Sequence, residues 1–156
     1  MSKRRTRCPH CGADFEQWDN PKPVVDILIE MDGNIVLIKR KQPPYGWAIP
    51  EGFWESTTSW VDYGESVESA VRREAREETS LEIENLRQFH VYSDPQRDPR
   101  QHTISTVFTA TGLGIPRASD NAVDFGLFTE KILPPDLAFD HAQILKDFFT
   151  HRGDLR

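Results

Sequence analysis

An α/β domain in which helices flank a mixed β-sheet is the fold class this sequence predicts, and three observations predict it. Two β-branched apolar runs, Val24–Glu30 and Ile35–Arg40, are joined by Met31-Asp32-Gly33-Asn34, and Asp-Gly is a strong hairpin signal. Two amphipathic helical stretches, one from about Ser66 to Thr79-Ser80 and one over Phe139–His151, lie far apart in the chain with strand-like runs between them. The 156 residues, 37% of them hydrophobic, suffice for one domain with a sizeable core.

Residues 1–21 read as an N-terminal segment ahead of a domain over 22–156. The basic head (Lys3, Arg4, Arg5, Arg7) reads as a disordered, solvated tail rather than a nucleic-acid arm. Cys8-Pro9-His10-Cys11-Gly12 resembles one knuckle of a zinc ribbon, which makes Cys8 and Cys11 a candidate zinc pair. Tetrahedral zinc takes four ligands, no second C-x-x-C exists, and His10 and Asp14 are too crowded to complete the set. A half-motif on a loose segment is the reading preferred over bound zinc.

Beyond the first hairpin, Lys41–Gly46 with Pro43-Pro44 is a loop, and Trp47-Ala48-Ile49 is a short strand stopped by Pro50. Ser66 is placed to cap the first helix through its hydroxyl. Asn85–Tyr92 and His102–Ala110 read as strands, connected by the Asp-, Pro- and Arg-rich Ser93–Gln101, and Asp124–Phe128 as a third. The last helix turns Ile144, Leu145, Phe148 and Phe149 inward. Leu113, Ile115, Val123 and Ile132 fall in a loop-rich region that reads as exposed.

Composition narrows the function classes. A net charge of −6 argues against an extended phosphate-binding surface of the kind nucleic-acid proteins use, but leaves room for a small phosphorylated substrate bridged by divalent ions. No run approaches the roughly 20 apolar residues of a membrane span. No apolar signal core follows the basic head and two cysteines make no disulfide framework, so the cytoplasm is the expected compartment.

The stretch from Gly64 to Leu81 carries five glutamates and three arginines. At about 100° per residue from Ala70, Val67, Val71 and Ala75 fall at about 60°, 100° and 140° and define an apolar stripe. Glu74 and Glu78 fall at about 40° and 80°, inside it, and Glu77 at about −20°, on its edge. An ordinary helix laced with i,i+4 pairs such as Glu68–Arg72 does not put its acids on the apolar side. Buried carboxylates need a partner, and three converging from one turn read as a site for a divalent cation on hard oxygen ligands.

Those residues resemble the Nudix box. Glu65, seven further residues, then Arg73-Glu74-Ala75-x-Glu77-Glu78-x-x-Leu81 follow its pattern G-x5-E-x7-R-E-U-x-E-E-x-G-U, with U aliphatic. Trp47-Ala48-Ile49-Pro50 and Leu137–Ala142 look like the family's flanks, and His90–Arg100 resembles the subgroup described as ADP-ribose pyrophosphatases. The resemblance implies a Nudix-type α/β/α sandwich with a mixed β-sheet between helices, and hydrolysis of the pyrophosphate in a nucleoside diphosphate derivative such as ADP-ribose. It implies Mg²⁺ or Mn²⁺ on Glu74, Glu77 and Glu78, catalytic roles for Glu77, Glu74, Arg73 and Glu65, and Arg73 orienting a glutamate, with Glu65 the choice. Arg97, Arg100 and Tyr45 are candidate substrate contacts; for the two arginines a solvated loop is the alternative. Trp47 reads as a core aromatic. Family members are often dimers, which implies a homodimer here.

The chain departs from the pattern in three places. Ser80 replaces the glycine after Glu-Glu-Thr, where left-handed geometry costs a side chain up to roughly 1–2 kcal/mol. Glu51 stands at a glycine position, where glutamate does not share glycine's freedom to take positive φ. Seven residues, Trp54–Trp60, stand inserted before Val61-Asp62-Tyr63-Gly64-Glu65, leaving Ser59 where the box has its first glycine. An engineered variant and a natural divergent member both fit these departures. A second function follows: an impaired Nudix-fold scaffold whose Trp54–Trp60 loop binds a protein partner. A third, a zinc-ribbon nucleic-acid binder, is opposed by the acidic charge and the single knuckle.

Overall fold

The computed structural model of the chain describes residues 2–51, 61–118 and 122–153, and in them a six-stranded mixed sheet separates two helices. Strands β1 (Ser2–Arg7) and β2 (Asp14–Asp19) form a separate antiparallel hairpin. The sheet follows as β3 (Lys22–Met31), β4 (Asn34–Arg40), β5 (Gly46–Ala48), α1 (Val67–Thr79), β6 (Glu82–Tyr92), β7 (Thr103–Leu113), β8 (Ala122–Phe128) and α2 (His141–His151). Its order is β5-β4-β3-β7-β6, with β8 also paired to β4. The parallel pair is β3 with β7, and the other pairings are antiparallel.

Strand alternation distributes the core over both faces. Val25, Ile27 and Ile29 of β3 meet Ala70, Val71 and Ala75 of α1. Leu28 points the other way, into a second core with Ile144, Leu145 and Phe148 of α2. The β3–β4 connection is the expected tight turn, with Asp32 (φ 48°) and Gly33 (φ 82°) both left-handed, the geometry that matches the strand twist.

Both ends of α1 follow the sequence. Ser66 Oγ accepts from the Ser69 N–H at 3.2 Å, capping the first turn. Ser80 is left-handed (φ 58°) and returns its N–H to Arg76 O at 2.9 Å, so serine holds the glycine's place without displacing the helix end. The strands run longer than their apolar patterns indicated, β7 reaching Leu113 and β8 starting at Ala122. Leu113 and Val123 are exposed, as expected, but lie on strands rather than loops.

Residues 136–138 lie along β5, with Trp47 N–H donating to Asp136 O at 2.7 Å and Ala138 N–H to Trp47 O at 2.8 Å. Gly46 permits this approach, since a Cβ there would stand 2.3 Å from Asp136 O. The start of α2 is thereby fixed against the end of β5.

The N-terminal segment is not the disordered tail its charge suggested. Basic β1 pairs with acidic β2 through Lys3–Glu16 (2.6 Å), Arg4–Asp19 (3.5 Å) and Arg7–Asp14 (3.2 Å). Each exposed pair contributes little alone, but opposite charge across a ladder specifies the register. The inserted residues Trp54–Trp60, with Gly52 and Ser59, lie outside the described residues.

Candidate functional site

The carboxylates of α1 take the positions the helical arithmetic gave them. Glu74 and Glu78 are buried among the apolar residues of the helix, and the Glu77 side chain, 48% exposed, stands at the rim. Arg73 organises them. Its Nε and Nη2 donate to both oxygens of Glu65 at 3.1 and 2.9 Å, and its Nη1 donates to Glu74 at 2.5 Å and Glu77 at 3.4 Å. Glu65, also accepting from the Asp62 N–H at 3.1 Å, is held below the usual carboxylate range chiefly by the Arg73 hydrogen bonds. Glu74 moves the opposite way, to about 7: burial dominates, Arg73 opposes it, and Glu77 and Glu78 add repulsion.

That repulsion tests the fit of a divalent ion. Glu77 and Glu78 stand near enough for their charges to raise the proton affinity of Glu74, so the three are a hard-oxygen donor set with a charge to neutralise, and Mg²⁺ or Mn²⁺ suits such a set.

A second constellation was not anticipated. Asp26, Glu51 and His141 are all buried, with potential ligand atoms within 4.8 Å of one another; among the described residues this is the one group of three or more acids, histidines or cysteines that comes so close together. Arg97 crosses it, donating to Asp140 (2.9 and 2.8 Å), Asp26 (3.1 Å) and Thr103 Oγ1 (2.9 Å), while Ser105 Oγ donates to Asp26. Arg40 pairs with Glu51. Burial pushes Glu51 up to about 8, with the Asp26 charge adding and Arg40 opposing, and burial lowers His141 to about 4.

The histidine tautomer decides what this group can do. The backbone N–H of Ile49 donates to His141 Nδ1 at 3.0 Å, so the neutral ring carries its hydrogen on Nε2. That N–H faces Asp26 at 3.7 Å and Glu51 at 3.8 Å. A ring nitrogen bearing hydrogen has no lone pair for a metal, so the group reads as a polar tie between β3, the end of β5 and α2.

The placement of Arg97 corrects an expectation. Its side chain is 2% exposed and its guanidinium is committed to internal partners, so it supports the fold rather than meeting a substrate. Glu51 is corrected as well. Left-handed non-glycine residues among those described are Asp32, Ser80, Asn85 and Phe139, so Glu51 needs no glycine geometry, and its side chain turns inward to Arg40. Arg100 forks onto Asp98 at 2.9 and 2.8 Å and, like Arg40, lies over the Phe139 ring. It remains partly exposed and borders a groove of about 470 Å³ shared with Arg4, Trp18, Lys22 and His102. Tyr45 is 70% exposed, whereas Trp47 packs edge-on against Phe128 at 4.9 Å. Cys8 and Cys11 sit together on the turn between β1 and β2, as free thiols.

Sequence reading missed Asp26, Arg40 and His141. One signal pointed to the first: an aspartate inside the apolar run VVDILIE must find partners once the strand is buried.

The family model for the NUDIX domain matches residues 20–148. The chain is 44% identical over 142 residues to the ADP-ribose pyrophosphatase of Methanocaldococcus jannaschii, covering 89% of this chain and 79% of that protein. It is 32% identical over 136 residues to the NAD-capped RNA hydrolase NudC of Pseudomonas aeruginosa, covering 85% of this chain but only 44% of that protein. A crystal structure of a MutT/nudix family protein from Enterococcus faecalis superposes with a TM-score of 0.75 at 28% identity, over 88% of this chain and 64% of that one.

Proposed function

This chain belongs to the Nudix family, and from that premise we propose that it hydrolyses the pyrophosphate of a nucleoside diphosphate derivative, with ADP-ribose the favoured substrate. The observation that carries the reading is the acidic face of α1, where Glu74 and Glu78 are buried, Glu77 stands at the rim, and Arg73 ties Glu74 and Glu77 to Glu65. The relative that acts on ADP-ribose by name, at 44% identity, supports the choice of substrate.

Glu74, Glu77 and Glu78 are the residues to hold Mg²⁺ or Mn²⁺, which when bound supplies Lewis-acid neutralisation of the pyrophosphate charge. Arg73 positions the acids: its bidentate grip on Glu65 fixes the guanidinium, and its remaining nitrogen orients Glu74 and Glu77. The exposed Glu77 carboxylate is assigned to accept a proton from the attacking water, a role its exposure at the rim supports. A new P–O bond then forms to the water oxygen as the bridging P–O bond breaks, giving AMP and ribose 5-phosphate. Arg100, through its exposed edge, is assigned to a phosphate or ribose oxygen, and the Tyr45 ring to stacking on the base.

Incubation with ADP-ribose and Mg²⁺ or Mn²⁺, followed by chromatography, tests this. AMP and ribose 5-phosphate in equal amounts are expected. No turnover across a panel of nucleoside diphosphate derivatives with either ion overturns the reading.

A further inference from the structure

Phe139 takes a conformation that a bulky side chain rarely adopts. Its φ is 56°, in the left-handed region, where the Cβ crowds the following carbonyl. Both neighbours are anchored. Ala138 N–H donates to Trp47 O at 2.8 Å, and the Asp140 carboxylate accepts from Arg97 at 2.9 and 2.8 Å. Residue 139 therefore makes the turn from the segment along β5 into α2, a turn that glycine would make without strain. Strain of this kind persists where the surroundings fix it, and it gathers at sites that clamp ligands.

The ring shows what the strain supports. It is partly buried, set against the small core of Ile38, Ala48 and Ala138 and 5.2 Å from the His141 ring. The guanidinium carbons of Arg40 and Arg100 lie 4.6 and 4.9 Å from its centre, so one ring serves two cations. Arg40 is buried and engaged by Glu51 and by Pro44 O at 2.7 Å. Arg100 keeps an exposed edge, while its Nε and Nη2 fork onto Asp98 at 2.9 and 2.8 Å. Arg40 feels the charges of both Arg100 and Glu78, which sets this cluster beside the acidic face of α1. Two contacts fix how the Arg100 guanidinium lies: the Asp98 fork holds one edge and the ring backs it. Without the ring the fork alone remains, and the guanidinium can swing about it. We propose that Phe139 is a positioning residue, whose ring holds Arg100 in the orientation that meets a phosphate or ribose oxygen of the substrate. This rests on the hydrolysis and on the role of Arg100 proposed above.

The test compares the parent chain with Phe139→Leu, Phe139→Tyr, Arg100→Gln, and Phe139→Leu together with Arg100→Gln. Each is read by steady-state kinetics on ADP-ribose with Mg²⁺ and by calorimetric binding of the methylene-bridged analogue, whose P–C–P bridge resists hydrolysis. Phe139→Leu should raise KM and weaken analogue binding by about 5- to 10-fold, with kcat within about twofold. Phe139→Tyr keeps a ring and should stay within about twofold of the parent in both measurements. Arg100→Gln should cost at least as much as Phe139→Leu, and combining the two should cost little more, because the ring acts through the arginine. Unchanged KM in Phe139→Leu, a loss confined to kcat, or additive losses in the double variant would each overturn the proposal and leave the ring a packing role. Where Phe139→Leu folds poorly, Phe139→Met, a flexible apolar replacement, carries the same comparison. A parent chain that binds the analogue without hydrolysing ADP-ribose overturns the proposed function, and the binding comparison then decides the role of Phe139. A parent chain that does not bind the analogue overturns both.

Discussion

On one face of the sheet, under α1, Glu65, Glu74 and Glu77 gather around Arg73, and buried Glu78 lies close enough for its charge to act on Glu74. Around the start of α2, Asp26, Asp140 and Glu51 meet Arg97 and Arg40, with a neutral histidine between them. Both groups are acidic and largely buried, yet their balance differs. In the second, arginines answer the carboxylates and Thr103 and Ser105 take up further hydrogen bonds. In the first, Glu65, Glu74 and Glu77 share one arginine, and Glu74 is raised chiefly by burial, with the charges of Glu77 and Glu78 adding to it. Carboxylates whose charge the protein answers hold a fold together; carboxylates left in excess are prepared for a cation.

The sharpest way to break this contrast is Glu78→Gln, which removes a charge from the excess side and preserves shape. Hydrolysis should fall by well over about 100-fold, beyond the range typical of residues that merely support a ligand. The thermal melt should hold or rise, because one repulsive charge is gone. Steady-state kinetics alongside calorimetry reads both, and a variant with near-parental kcat would sink the assignment. Arg97→Met on the opposite face should reverse the pattern. Removing one partner from a buried pair leaves an uncompensated charge, at a cost of about 3–5 kcal/mol. Denaturant unfolding measures it, and below the melt KM for ADP-ribose should stay within about twofold. A large rise in KM at unchanged stability would restore Arg97 as a substrate contact.

A smaller effect follows from pH. With Glu74 raised to about 7 by burial, protons compete with the divalent ion below that value. Apparent Mg²⁺ affinity should therefore weaken by up to about tenfold per unit as pH falls below 7, and level off above it. Activity titrated against Mg²⁺ at successive pH values checks this, and an affinity independent of pH from 6 to 8 would contradict it.

The two faces also differ in how much of them the sequence exposed. The α1 group lies within one helix and the loop before it, so spacing alone brings Glu74 and Glu78 to one stripe and aligns Arg73 with them. The α2 group joins Asp26, Glu51, Arg97 and His141 across four separate segments. No local period encodes that meeting; it depends on the parallel pairing of β3 with β7 and on the fixing of residues 136–138 along β5. Arg97, in a polar segment rich in Asp, Pro and Arg, carried the composition of an exposed loop although its side chain runs inward. The N-terminal hairpin was hidden for a related reason, since a basic strand alone resembles a tail until the acidic strand seven or more residues later neutralises it.

The mildest perturbation concerns the end of α1, where the acidic face is anchored. Ser80 adopts φ 58° while its N–H closes the last turn on Arg76 O. A Cβ in that conformation is strained, whereas glycine enters it freely but loses more entropy on folding. Because the turn is already formed with serine in place, Ser80→Gly relieves the strain without moving the helix end. Stability should rise by about 1 kcal/mol or less, read as a higher denaturant midpoint at unchanged slope. Kinetics should not change, since the hydrogen bond that sets the Glu78 turn belongs to the backbone and survives. If the variant were instead destabilised, the serine side chain would have to contribute more to the helix end than its geometry accounts for.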